Sequence, residues 1–518
     1  MKKILLLLFF IASLGIQVSS QVRYLDEMFT NVTVDTTLTY GVNATILYVP
    51  FVGQAVPERL LFDIYTPDGD ANRNRPLILY YHTGNFLPFP QNGGTSGTRR
   101  DSTVVEICTR LAKMGYVVAS VDYRLGWDPT NTSKDIRVFT LINAAYRGVQ
   151  DAKTCIRYFK RSVVENANPF GIDTGRITIW GQGTGGYVVL NTSALDDYNK
   201  IPTASDGKFL ISVPPIILPM VLEGVNGNLE GTSFGIVPSE LAPLLRLPAG
   251  DTLCYPNHIG YNSDFQFGVN MGGAIGDSAW LDRGHVPLVS MHSLNDAFAP
   301  CAEGLVLVPV TPPLEVVKVQ GSCIIQAMNE EFGNNNIFSL QAKLFNDPYS
   351  IAARKFNGGL EGFFPLSLTS PFDSSPWDYW SPNNPNHARG LQTNPTMSKE
   401  RASRYIDTLI GFVAPRACLA LGLNCDLSRY TGVTNVDPAS VGLQISPNPA
   451  IDGIHVSTSV DFPIISAQLL DINGKKLRSF ENIHNNSLDI QREGLISGFY
   501  LVRLSFEKGE SFVKVIFK

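Results

Sequence analysis

After residues 4–16 the chain has no second run apolar over the roughly 18 residues a helix needs to cross a bilayer. No membrane span is therefore expected in the mature chain. Charge is sparse as well: 17% of residues are charged and the net charge is −5, so the basic footprint of a nucleic-acid-binding protein is missing. There is no Cys-x-x-Cys pair and no Cys/His cluster at ligand spacing, so neither a metal nor a cofactor is expected. Cysteines number seven, an odd count that leaves at least one thiol free. Cys108 and Cys155 fall on apolar helix faces and read as buried thiols. Cys418 with Cys425, and two of Cys254, Cys301 and Cys323, are the candidate disulfides that an exported chain permits.

What is present points to export and to more than one domain. A length of 518 residues with 44% hydrophobic content exceeds one typical domain. Residues 1–20 have the pattern of a secretory leader: Met1-Lys2-Lys3, an apolar run from Ile4 to Ile16, then the small-residue site Val18-Ser19-Ser20. No cysteine follows the cut, which argues against a lipid anchor. Residues 21–425 alternate strand and helix patterns, 426–442 form a polar linker, and 443–518 are short alternating strands read as a β-sandwich.

Within 21–425, Ala44–Val49, Leu60–Tyr65, Pro76–Tyr81, Gly115–Val121 and Pro287–Met291 read as strands. A helix is expected over Ser102–Met114. Ala145, Val149, Ala152, Ile156, Phe159 and Val163 step at helical spacing along another. Residues 314–332 look helical, and Glu400–Phe412 reads as the last helix. Residues 200–285, irregular and rich in Gly, Pro and Leu, suggest an inserted cap or lid. Residues 333–398 give no clear pattern. The alternation predicts an α/β fold with a mostly parallel sheet.

The segment Arg176–Tyr187 runs from an apolar strand through Gly181-Gln182-Gly183-Thr184-Gly185 into a helix. Two readings follow. Gly181, Gly183 and Gly186 fit G-x-G-x-x-G, with Asp196 and Asp197 downstream, so a dinucleotide-binding enzyme is one. That fingerprint normally belongs to the first strand of its unit, and this strand follows several others.

The second reading is a resemblance. Leu61–Pro67, Tyr81–Phe86, Gly115–Gly126, Gln150–Lys153, Phe170–Asp173 and Ile177–Gln182 resemble, in order, motifs of α/β-hydrolases of the carboxylesterase type. The resemblance implies the α/β-hydrolase fold and a serine, an acid and a histidine acting in that order. Gly183 stands at the nucleophile position, where serine is absent, with Thr184 beside it. Asp296 takes the acid position. Gly359–Pro365 resembles the family's histidine motif with Glu361 in the histidine's place, and His387 is the alternative. Thr83, Gly84 and Asn85 match the oxyanion loop and offer backbone N–H groups. Trp377–Trp380 is an aromatic cluster, read as core or pocket wall. The expected product is a degenerate hydrolase that binds a small-molecule or surface ligand. The alternative is an active esterase in which Asp296, with His387 or Glu361, activates water.

Residues 443–518 resemble the type A C-terminal sorting domain of the type IX secretion system of Bacteroidetes, through Ser446–Pro449, Leu470–Lys475, Gly494–Val502 and Phe512–Val515. That implies the secretion machinery as partner, and passage through the periplasm to the outer-membrane surface or the medium.

Overall fold

The computed structural model describes residues 21–308, 313–339, 345–368, 370, 372–431, 436–471, 476–507 and 509–518. The expected leader, residues 1–20, lies outside them. The described chain divides into two units after Asp426, with a short segment ending at Pro348 grouped with the second.

Eight strands build the main sheet of the first unit: β1 (Val32–Thr45), β2 (Val56–Pro67), β3 (Arg75–Tyr81), β4 (Val117–Val121), β5 (Ile172–Gln182), β6 (Phe267–Met271), β7 (Leu288–Ser293) and β8 (Phe363–Leu366). Their order is β1-β2-β4-β3-β5-β6-β7-β8. β2 runs antiparallel to both β1 and β4, and every later pair is parallel. β3 and β4 are buried at every residue, which is why their sequences show no alternation. The helices include α1 (Ser102–Lys113), α2 (Lys134–Glu165), α3 (Thr184–Ala194), α4 (Ser322–Phe332) and α5 (Lys399–Ala420). The α2 stripe of Ala152, Ile156 and Phe159 packs into one core with Leu77, Leu79, Val117 and Ile179 of the sheet. Among the described residues no helix is long and apolar enough to cross a membrane.

Three expectations need correction. The first strand runs Val32–Thr45, earlier and longer than the apolar run at 44–49. Residues 314–332 are half strand: Leu314–Gly321 pairs antiparallel with Glu303–Val308 before α4 begins. Residues 200–285 are not all insertion, because β6 lies between β5 and β7 at the sheet's centre. Gly268 hides that strand in the sequence, yet a Cβ there would lie 2.3 Å from Leu288 Cδ2. The glycine is what lets β6 and β7 pack.

Cys301–Cys323 and Cys418–Cys425 are bonded, while Cys108, Cys155 and Cys254 are buried free thiols.

The second unit has two antiparallel sheets. Its strands are β9 (Gln444–Ser446), β10 (Gly453–Ser457), β11 (Ser466–Leu470), β12 (Lys476–Phe480), β13 (Ser487–Gln491), β14 (Gly498–Phe506) and β15 (Gly509–Phe517). They are ordered β9-β10-β13 and β12-β11-β14-β15. Alternate residues of β14, Tyr500, Val502, Leu504 and Phe506, join Ile454, Val456 and Leu469 in one core. That is the period of a strand with one buried face. Residues 472–475, within the Leu470–Lys475 stretch of the resemblance, lie outside the described residues.

Candidate functional site

β5 ends at Gln182 and α3 begins at Thr184, so the whole strand-to-helix turn is Gly183. Its φ is 53° and ψ is −113°, a conformation that strains any residue with a Cβ. The neighbouring glycines serve close packing. A Cβ on Gly181 would lie 2.0 Å from Gly185 O, one on Gly185 2.0 Å from Tyr81 O, and one on Gly186 2.4 Å from Asn270 Oδ1. The G-x-G-x-x-G match is thereby explained by contact between α3 and strands β3, β5 and β6. Its downstream acids are engaged elsewhere: Asp197 accepts from Asn199 N, and exposed Asp196 meets Lys200 and His285. Asp196, Asp282 and His285 form a cluster that could hold a metal, but Lys200 Nζ already lies 2.5 Å from Asp196 and 2.6 Å from Asp282.

The space in front of Gly183 is filled. A Cβ at 183 would lie 2.3 Å from Thr83 Oγ1 and 3.1 Å from Thr83 Cβ. Thr83, on the loop after β3, therefore puts its hydroxyl where a nucleophile's side chain would begin. Thr184 Oγ1 accepts from Asn85 N–H at 2.6 Å. The N–H expected from Asn85 is thus already spent on Thr184. Among the described residues the N–H groups of Gly84 and Thr184 make no hydrogen bond, and both residues line a cavity of about 390 Å³. Its lining includes apolar Leu141, Val149, Leu195, Phe209, Trp280 and Val319 as well as polar Asn92, Ser96, Ser375, Asp378, Arg389 and Thr393.

Asp296 lies on the loop after β7 and lines the same cavity, its side chain 4% exposed. Oδ1 accepts from Phe298 N at 2.8 Å and Ala299 N at 2.9 Å. Oδ2 has no hydrogen bond among the described residues, and its nearest ring nitrogen is His292 Nε2 at 3.9 Å. Burial raises the carboxyl pKa to about 7 against the opposing pull of the two N–H groups.

His292 is not the missing base. Its Nε2 is 2.7 Å from Ala299 O and its Nδ1 is 2.7 Å from Ser322 Oγ. A carbonyl only accepts, so Nε2 carries the proton and Nδ1 accepts from the serine. Burial lowers the ring's pKa to about 4, so it is neutral and fully engaged.

The two residues expected at the histidine position lie apart from this constellation. Glu361 precedes β8, where Ser290 N of β7 bonds to Gly362 O, so it sits at the start of the parallel strands and Asp296 at their end. Its carboxylate is 2.9 Å from Arg416 Nη2, and Arg416 Nε donates to its backbone O at 2.6 Å. Glu361 is thus paired with Arg416, and the stretch that resembles the histidine motif falls on a strand start rather than the loop after the last strand. His387 begins the short helix His387–Thr393; its Nδ1 accepts from Trp380 Nε1 at 3.0 Å, and it does not line the cavity. The loop after β8, residues 367–386, contains no histidine.

That loop brings in a residue the sequence did not suggest. Asp378 lines the cavity and accepts from Ser96 Oγ at 2.7 Å and Thr103 Oγ1 at 2.8 Å. Burial raises its pKa to about 6 against the hydroxyl donors. Only an acid in an aromatic run, Trp377-Asp378-Tyr379-Trp380, hinted at it. Trp377 and Trp380 themselves are buried.

The sheet order, the antiparallel β2 and the strand–turn–helix elbow at the ends of the parallel strands define an α/β-hydrolase fold. Residues 62–209 match the BD-FAE family model, an esterase-like α/β-hydrolase, and residues 444–518 match the Secretion system C-terminal sorting domain. Thermogutta terrifontis esterase 2, phosphorylated by paraoxon, is a similar solved structure: 15% identity, 52% of this chain, 74% of that one, TM-score 0.26. An esterase from the archaeon Pyrobaculum calidifontis is 24% identical over 33% of this chain and 40% of its own, TM-score 0.20. A truncated carbohydrate esterase from gut microbiota is 14% identical over 53% and 80%, TM-score 0.26. No curated protein matches the chain. The chain carries an esterase-like α/β-hydrolase domain and a type IX sorting tail, as a secreted or cell-surface protein does.

Proposed function

We propose that this is an exported α/β-hydrolase-fold protein that binds its ligand at the elbow without hydrolysing it. One observation carries the reading: residue 183 has no side chain, and the Thr83 hydroxyl lies 2.3 Å from where a Cβ would start. Serine hydrolysis needs an oxygen at that point, a histidine to take its proton and donors aimed at the oxyanion. Here the oxygen comes from the wrong residue, one oxyanion-loop N–H is capped by Thr184, and His292 and His387 are engaged elsewhere. Residues 1–20 serve as the export leader. Residues 443–518 pass the chain to the type IX machinery of a Bacteroidetes cell, which releases it or leaves it on the outer surface.

The test is turnover of short- and medium-chain aryl esters by the purified protein, with fluorophosphonate labelling alongside. No turnover and no label are expected. Hydrolysis that disappears when Asp296 is changed to Asn would sink the proposal. It would favour the rival reading, in which Asp296, poised near neutrality with a free oxygen, activates water. Gly183→Ser alone is expected to stay inert, because the new Cβ meets Thr83. Gly183→Ser with Thr83→Gly removes that obstacle and is the variant to label.

A further inference from the structure

The cavity has a second landmark besides the elbow, the guanidinium of Arg389. It lines the space, and among the described residues it has neither an ion pair nor a side-chain hydrogen bond. Its seat is nevertheless built. Asn384 Nδ2 donates to Thr95 O at 3.0 Å and Asn386 Nδ2 to Gly94 O at 2.7 Å, so the start of the helix His387–Thr393 is tied to the loop after β3. The guanidinium lies directly on Gly93 of that loop. A Cβ there would be 2.2 Å from Arg389 Nη1 and 2.6 Å from Cζ, and the φ of 70° favours glycine as well.

This seat is joined to the elbow. Asn92, which precedes Gly93, accepts on its backbone O from Asn85 Nδ2 at 3.0 Å, and a Cβ on Gly84 would lie 3.4 Å from its Nδ2. The acids of the cavity leave the guanidinium unneutralised. Asp378 accepts from Ser96 and Thr103, and Asp296 from Phe298 and Ala299. Neutral polar groups adjoin it. Ser375 N donates to Thr393 O at 3.3 Å, which brings that serine to the Arg389 helix. Thr95, Ser375 and Gln392 all line the cavity, and among the described residues their side chains make no hydrogen bond.

We propose that the cavity takes an acidic saccharide, its carboxylate or sulfate paired with Arg389 and its hydroxyls with Thr95, Ser375 and Gln392. This names the ligand class of the non-hydrolysing site proposed above and rests on that reading. A guanidinium is always charged and offers a planar fork of donors that matches an oxyanion with two parallel hydrogen bonds. Hydroxyl and amide side chains both give and accept, as sugar hydroxyls do. A cationic ligand is repelled by Arg389. A neutral sugar gains the hydroxyl contacts and leaves the strongest donor unused.

The experiment is calorimetric titration of the full chain at pH 8 with two matched pairs: trigalacturonate against its methyl ester, and sulfated neocarrabiose against neocarrabiose. At that pH Asp296 and Asp378 are ionised and oppose an anion, so a preference for the charged member is owed to the guanidinium. In at least one pair the charged member is expected to bind about tenfold tighter or more. The pair that shows it tells a carboxylate from a sulfate. Arg389→Gln should abolish the preference, and Arg389→Lys, a point charge without the fork, should restore only part of it. Gly93→Ala keeps every charge but drives the guanidinium off its seat, and should lose most of the preference while circular dichroism stays unchanged. Equal binding within both pairs, or binding of neither charged probe, overturns the proposal. So does a preference that survives Arg389→Gln or that a folded Gly93→Ala leaves unchanged. If Gly93→Ala fails to fold, the two Arg389 variants decide. Methanol release from the methyl ester on the same preparation separates the two ideas. Release together with the preference removes the non-hydrolysing reading but leaves the ligand class. Neither release nor preference removes the ligand class and leaves the reading intact.

Discussion

Asp296 and Glu361 are two acids with buried side chains at opposite ends of the adjacent strands β7 and β8, and their surroundings differ in kind. Glu361, 6% exposed, meets Arg416 at 2.9 Å, with Arg354 at 3.8 Å. The Asp296 side chain, 4% exposed, meets two backbone N–H groups and, among the described residues, no cation. A buried anion that is paired keeps its charge; one without a cation keeps its proton. The strand-start end thus uses an ion pair to tie the start of β8 to α5. The cavity end leaves an acid with one oxygen that makes no hydrogen bond among the described residues. A motif alignment sees two acids near a triad, whereas the environments separate structure from function.

The largest expected effect breaks the paired side. Arg416→Met removes the nearer of the two cations at the buried Glu361 carboxylate, leaving Arg354 at 3.8 Å, and should cost up to about 3–5 kcal/mol at pH 8. Urea unfolding measures it. Arg416→Met combined with Glu361→Leu should recover most of it. A loss below about 1 kcal/mol would mean that the pair carries no weight and that the contrast with Asp296 is empty.

The next effect belongs to the unpaired side and depends on pH. The folded-state pKa of Asp296, about 7, lies above its ordinary 3.8. Between those values the folded state holds more protons than the unfolded state, so stability falls as pH rises. From pH 5 to pH 8 the wild type should lose about 2–3 kcal/mol more than Asp296→Asn in the same urea titration. Equal pH dependence of the two proteins would mean that Asp296 is compensated by charge after all.

Parts of this contrast were legible in the sequence and parts were not. β3, β4 and the elbow announced themselves, because doubly covered strands read as unbroken apolar runs and a strained turn demands glycine. Asp296 was singled out by resemblance, in a loop after an apolar strand, and it does line the cavity. β6 was missed because its own packing requires Gly268, which breaks the apolar run. Glu361 was misplaced because a short motif match carries no information about which end of a strand it occupies. Thr83 opposite Gly183, and Asp378 beside Ser96 and Thr103, join residues far apart in the chain. No local pattern encodes such contacts.

Asp378 provides the smallest effect and an intermediate case. It is a third buried acid, compensated by two hydroxyl donors rather than by a cation. Hydroxyls stabilise the anion less than a guanidinium does, so its pKa, about 6, stays above the ordinary 3.8 but below that of Asp296. Thr103→Val keeps the side chain's shape and removes one donor. At pH 8, where Asp378 is ionised, the variant should lose about 1–2 kcal/mol of stability. At pH 5 the carboxyl carries its own proton and depends less on Thr103, so the loss should fall to less than half. The midpoint of that change should lie above 6, since removing a donor raises the pKa further. A loss equal at both pH values would assign Thr103 to packing alone. Asp378 would then join Glu361 among structural acids rather than Asp296 among those that face a ligand.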